Sequence, residues 1–170
     1  MNTIEKLGDS ILFFDEHNNA FPSIVQADNG DVLLIFRQTP VFDDGKHRHT
    51  HAKAKVMLSV SHDGGQTFSR DARHIFGGGE LGGASDPCIK KLSDGTLIIT
   101  VFFWRVEKLD KAVEVLKALG RPESDARLLE NDDYSFLSGS YVYRSEDNGK
   151  TWDGPFCIST GTIGIRGATV

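Results

Sequence analysis

The stretch that decides the fold is "SHDGGQTF", residues 61–68, because the chain writes it again as "SEDNGKTW" at residues 145–152. The shared skeleton is S-x-D-x-G-x-T-[F/W]. It places Ser61, Asp63, Gly65, Thr67 and Phe68 in the first copy, and Ser145, Asp147, Gly149, Thr151 and Trp152 in the second. A carboxylate at this point of a tight turn accepts hydrogen bonds from the N–H groups of its own turn. The glycine supplies a positive φ that a side chain resists. Threonine then begins a strand, and the aromatic ring gives the turn an apolar body to bury. The motif is therefore a hairpin device with no catalytic part of its own.

A second repeat lies upstream of each copy. "FPSIVQADNGDVLLIF" (residues 21–36) matches "DPCIKKLSDGTLIITV" (residues 86–101), with Pro22 on Pro87, Asn29-Gly30 on Asp94-Gly95 and "VLLIF" on "LIITV". Asn-Gly and Asp-Gly between short β-branched runs are strong hairpin signals. Each unit reads strand, tight turn, strand, variable loop, strand, Asp turn, strand. The strands are expected at 21–27, 31–37, 54–61 and 67–76, then at 86–92, 96–104, 139–145 and 151–158. Four antiparallel strands repeated along a chain make propeller blades, so the fold class is all-β, a partial β-propeller. Blade one covers about 20–76 and blade two about 86–158. "IRGATV" (165–170) reads as the start of a third inner strand, with Ala168-Thr169 in place of Pro-Ser or Pro-Cys.

Within blade two an insertion is expected over about 105–138. In "EKLDKAVEVLKALGRP" (residues 107–122), Leu109, Val113, Leu116 and Leu119 fall near one helical face before Gly120 and Pro122. That spacing predicts a helix over 107–119, followed by an ordered loop or partial lid.

Composition bounds the partners. The net charge of −5 and a single short basic cluster, "KHRHTHAKAK" (46–55), exclude a nucleic-acid stripe. No apolar run approaches membrane-spanning length. Neither a signal peptide nor a disulfide framework is visible around the two cysteines, Cys88 and Cys157, which points to the cytoplasm. Two blades leave apolar faces uncovered, so the chain reads as part of a longer ring, and self-association through unpaired blade faces is expected.

These repeats resemble the sialidase superfamily of Asp-box, or BNR-repeat, propellers, and the resemblance covers nearly the whole chain. It implies a six-bladed ring with its site at the centre, built from loops opposite the Asp boxes. It also implies an arginine triad for the substrate carboxylate, an acid/base Asp in the first strand-two/three loop, and a Tyr–Glu pair on later blades. Asp44 and Asp43 lie where the loop Asp belongs, with Asp44 the first choice, although a solvated turn pair is the competing reading. Ala20 stands where the first triad arginine is expected. Arg166 occupies the equivalent place before the third inner strand, and Arg37 lies at the mouth of the first loop. The expected rim thus carries Arg37, Asp43, Asp44, His49, His51, Asp86, Arg105 and Arg166.

In "HRHTH", alternate imidazoles His47, His49 and His51 fall on one side of an extended chain, roughly 7 Å apart. They could chelate a metal only with a further ligand such as Asp43 or Asp44. Contacts from His49 or His51 to sugar hydroxyls or a uronate are preferred, and neither metal nor cofactor is expected. Two functions follow: a sialidase-like hydrolase for acidic sugars, sialic acid or uronate, with Asp44 or Asp43 as acid/base, or a non-catalytic propeller that binds glycan or protein.

Overall fold

The structure is a computed structural model describing residues 8–41, 50–161, 164, 165 and 167. Two antiparallel sheets follow one another along the chain. The first sets β1 (Asn18–Gln26), β2 (Val32–Thr39), β3 (Lys55–Ser61) and β4 (Arg73–Gly77) side by side. In the second, β5 (Gly83–Lys91) pairs with β6 (Leu97–Lys108), which is followed by helix α1 (Leu109–Ala118). Short β7 (Arg127–Leu128) then pairs with the early part of β8 (Asp133–Ser145), and β9 (Asp153–Ser159) with its later part. This is the two-sheet, all-β, propeller-like arrangement that the repeats imply.

Strand parity explains the packing. Leu33, Ile35, Val56 and Leu58 of the first sheet face Ile89, Leu97, Ile99 and Val101 of the second in one continuous core. Phe76 on β4 stacks on Tyr143 on β8, with ring centroids 3.7 Å apart. Leu34, Phe36 and Met57 point the other way, and there Phe13 covers them with its ring 4.8 Å from Phe36. Residues 8–17 thus form a strap over the outer face of the first sheet.

Several element bounds differ from the sequence reading. β4 starts at Arg73 rather than 67, because Thr67 stays bound within the turn and Ser69 N–H donates to the Val60 carbonyl at 3.0 Å. β6 and β8 run on through the expected insertion, paired from Trp104↔Leu137 to Lys108↔Asp133, so the excursion shortens to 109–132 and within it β7 pairs back onto β8. The helix buries Ala112 and Leu116 against Phe136, a stripe shifted from the expected Leu109–Val113–Leu116–Leu119 face. Asp110 in its first turn and Lys117 in its last suit the helix dipole.

Arg121 locks this excursion to the rim. Its side chain donates to Asp125 Oδ2 at 2.8 Å, to the Leu137 carbonyl, and to the Thr160 carbonyl at 3.2 Å.

The two Asp turns have one geometry. Asp63 Oδ1 accepts from Ser61 Oγ at 2.7 Å and Thr67 N at 2.9 Å, while Oδ2 accepts from Thr67 Oγ1 at 2.6 Å. Asp147 repeats this with Ser145 at 2.8 Å, Thr151 N at 2.9 Å and Thr151 Oγ1 at 2.6 Å. Ser145 Oγ also accepts from Gly149 N at 2.9 Å, and Ser145 is buried. Ser145→Ala therefore strands the Gly149 amide and removes one of the bonds to Asp147, and should lower stability by about 1–2 kcal/mol in urea titrations.

A pH dependence follows from the same bonds. Burial tends to raise the Asp147 pKa, but the Thr151 hydroxyl, the Thr151 N–H and the Ser145 hydroxyl outweigh it and hold it at about 2, against an ordinary 3.8. A carboxylate with a depressed folded pKa contributes its stability above the unfolded pKa and loses it as pH falls through the folded one. Wild type should therefore lose stability between pH of about 4 and about 2. Asp147→Asn should show a shallower loss in that window, and an unchanged slope would refute the assignment.

At the turn end the sheets interlock. Arg73 on β4 donates to the Gly149 carbonyl at 2.6 Å and the Lys150 carbonyl at 2.5 Å. Asp28 N donates to Asn148 Oδ1 at 3.2 Å, and Lys91 pairs with Asp28 at 2.8 Å.

Candidate functional site

At the end of the sheets away from the Asp turns, the first strands β1 and β5 break their ladders at equivalent places. Register shifts fall between Ala20 and Ser23 and between Ser85 and Cys88. Each break holds a proline preceded by a left-handed residue, Phe21 with φ 54° and Asp86 with φ 45°. Residues before proline ordinarily adopt extended backbone, and a non-glycine residue at positive φ is strained. Gly167, aligned with them in the third repeat, is also left-handed at φ 85°. All three line one open cleft of about 330 Å³, together with Pro22, Ser23, Pro87 and Cys88.

Arg37 stands behind this cleft. It lies opposite Ala20 on β2, is 2% exposed, and holds its guanidinium carbon 5.0 Å from the centre of the Phe21 ring. Burial pulls the guanidinium pKa down, and the negative charge of Asp86 opposes that shift. The sequence reading put Arg37 at a loop mouth; the structure buries it within β2. Ser23 Oγ joins the two first strands, accepting from Ile89 N at 3.1 Å and lying 3.8 Å from Cys88 Sγ.

The other expected rim residues are distributed. His51 Nδ1 accepts from Lys53 N at 2.9 Å. A Cβ on Gly83 would come 1.8 Å from the His51 carbonyl oxygen, so the first long loop returns directly onto the start of β5. Arg105 is held by Glu107 on its own strand, at 3.1 and 2.5 Å, while the charge of Asp86 acts on Arg37. Asp43, Asp44, His47, His49 and Arg166 lie outside the described residues. Both first strands begin three residues earlier than expected, β1 at Asn18 and β5 at Gly83.

Sequence reasoning missed Phe21 and the strap residue Asp15. Asp15 accepts from Asn19 Nδ2 at 2.7 Å and from Gln38 Nε2 at 2.8 Å, pinning the strap beside the cleft. The paired Phe-Pro and Asp-Pro dipeptides were the available signal for the breaks, but pre-proline preference points to extended backbone and hides the left-handed step.

The chain is similar in structure to a protein of unknown function from Dyadobacter fermentans DSM 18053, with a TM-score of 0.73 and 29% sequence identity, over 89% of this chain and 40% of that one. It therefore spans about two fifths of that protein's length. Two further similarities are more distant. A Hadza microbial sialidase, Hz136, matches with a TM-score of 0.49 and 14% identity, over 81% of this chain and 24% of that one. The polysaccharide lyase Uly1 matches with a TM-score of 0.40 and 16% identity, over 79% of this chain and 22% of that one. No known family and no curated protein matches the sequence.

Proposed function

We propose that the chain supplies part of the central site of a sialidase-like, glycan-processing hydrolase for acidic sugars, sialic acid or uronate. The observation that carries the reading is the cleft where Phe21, Asp86 and Gly167 converge on one point, with a buried arginine behind them. Strained backbone in equivalent positions of successive repeats is a feature of built sites rather than of scaffolds alone. Asp86 lines the cleft and accepts hydrogen bonds from ligand hydroxyls. Arg37 acts from behind it, as a positioning charge for Asp86 and Phe21. Asp44 or Asp43 is the general acid. The bond broken is glycosidic, and the acid protonates its leaving oxygen. Completing such a reaction requires groups from further sheets, as the resemblance implies for the Tyr–Glu pair.

One observation favours the binding-only alternative: Ala20, paired with Arg37, stands where the resemblance calls for the first triad arginine. Titrating the 170-residue chain with N-acetylneuraminate and glucuronate tests the cleft, where Asp86→Ala should weaken binding at least tenfold and Arg105→Ala should not. On a fluorogenic sialoside and uronide panel, a version carrying the remaining sheets should lose about a hundredfold in turnover with Asp44→Asn or Asp43→Asn. Glycan binding without hydrolysis would establish the binding module instead. Absence of both binding and hydrolysis would remove the glycan reading.

A further inference from the structure

We propose that the pocket between the helical excursion and β6 is a second anion subsite, which takes the carboxylate of a further acidic sugar. The preferred ligand is then an oligosaccharide carrying acidic sugars in succession rather than a single one. This rests on the glycan reading of the cleft and extends it along the rim. The pocket has a volume of about 280 Å³ and is lined by Trp104, Arg121, Ser124, Asp125, Arg127 and Leu137. Trp104 pairs with Gly83, three residues before Asp86 on β5, so it lies roughly 10 Å beyond the cleft toward the rim. A single sugar does not bridge that distance, and a short chain of sugars does.

The pocket is built from a helix stop. Gly120 follows α1 in left-handed backbone, φ 68°, and Arg121 N–H closes the stop on the Leu116 carbonyl at 2.8 Å. That stop returns Arg121 to β8, and a 3-10 turn, Glu123–Asp125, brings Asp125 to it. The Arg121 side chain is 9% exposed, with Nε and Nη1 committed to Asp125, Leu137 and Thr160. Its Nη2 has no hydrogen-bond partner among the described residues. Arg127 stands on β7 opposite Ser135, is exposed, and forms no ion pair among the described residues. Locking the excursion accounts for Nε and Nη1 of Arg121 but not for Arg127, which holds nothing in the fold. Two arginines against one aspartate leave the pocket an excess of one positive charge. One guanidinium is thus fixed and a second is free to close on an oxyanion. Trp104 supplies an apolar wall, its ring edge-on to Phe102 at 6.3 Å. An aromatic face beside charged donors suits a sugar, whose C–H face is apolar and whose carboxylate is not.

Calorimetric titration of the 170-residue chain with galacturonate and with its linear trimer tests this. The trimer should bind at least about tenfold tighter than the monomer, the size of one added charge-assisted bond. Arg127→Ala should abolish that gain, leave monomer binding as it is, and melt like wild type because the side chain is exposed. Arg127→Lys should keep part of the gain, since the charge remains and the fork is lost. Maltotriose, a neutral chain of the same length, should bind more weakly than the acidic trimer. A trimer no tighter than the monomer, a gain that survives Arg127→Ala, or equal affinity for maltotriose would overturn the proposal. In those cases, monomer binding that Asp86→Ala weakens would leave the cleft reading standing. Trimer binding that Arg127→Ala removes and Asp86→Ala does not touch would overturn the shared ligand together with the cleft reading. Absence of binding by both uronides would do the same.

Discussion

Gly149→Ala should destabilise the protein by about 3 kcal/mol, whereas Gly65→Ala, at the same place in the other Asp turn, should cost about 1 kcal/mol. Both glycines are left-handed, with φ 83° and 91°, so each substitution incurs the same backbone strain. Their surroundings differ. A Cβ on Gly65 meets nothing within 4 Å, while one on Gly149 would lie 2.3 Å from Leu33 Cδ2. Leu33 is fully buried between the sheets and cannot retreat without disturbing Ile35 and Ile99 beside it. The carbonyl of Gly149 is also held by Arg73, which limits how far the turn can lift away. Urea unfolding of the two variants in parallel reads the difference directly. Equal losses would mean that the second turn is not wedged against the first sheet.

The second large effect is expected at Arg37. Arg37→Ala should lower stability by about 3 kcal/mol or more, because it removes a buried cation that balances Asp86. It also removes the guanidinium from the face of the Phe21 ring, a contact worth roughly a further 1 kcal/mol when shielded from water. The two residues share one environment, so a double-mutant cycle is the informative measurement. With Arg37→Ala, Asp86→Ala and the double variant, the two single losses should sum to more than the double loss. Additive losses would show that Arg37 and Asp86 act independently, and Arg37 would then lose its positioning role at the cleft.

Much of the fold was legible because its punctuation is local. Asp63 and Asp147 bond groups within four residues of themselves, and Asn29-Gly30 and Asp94-Gly95 end three-residue turns in which Gly30 N donates to the Ala27 carbonyl and Gly95 N to the Leu92 carbonyl. Spacing alone therefore specified these turns, their equivalence and the number of sheets. Strand ends were less legible, because they depend on partners elsewhere in the chain. β6 continues to Lys108 because residues 133–137 pair with it, which periodicity within "VFFWRVEK" does not disclose. The helix was found, but its buried stripe follows Phe136, a residue twenty positions further on from Leu116. At the site, Arg37 and Asp86 were named from chain direction, since loops at one end of the strands converge. Their relative placement was not legible. It rests on two left-handed steps that oppose the usual preference before proline, and local preference could not announce what neighbouring strands impose.

Those steps separate the shape of the cleft from its chemistry. Phe, Asp and Gly occupy equivalent places at 21, 86 and 167, so the backbone path does not depend on which side chain is present. A substitution there can alter what the cleft presents, whether ring, carboxylate or bare backbone, while the strands on either side keep their pairing. Strain at these places also weighs unequally on the three residues. Glycine adopts positive φ freely, aspartate tolerates it, and phenylalanine resists it. Position 21 is therefore where natural drift has the most stability to gain, and where retaining the aromatic ring demands the strongest selection for ligand. A library randomised at residue 21 and sorted first for stability, then for glycan binding, should enrich Gly and Asn in the first sort and aromatic residues in the second.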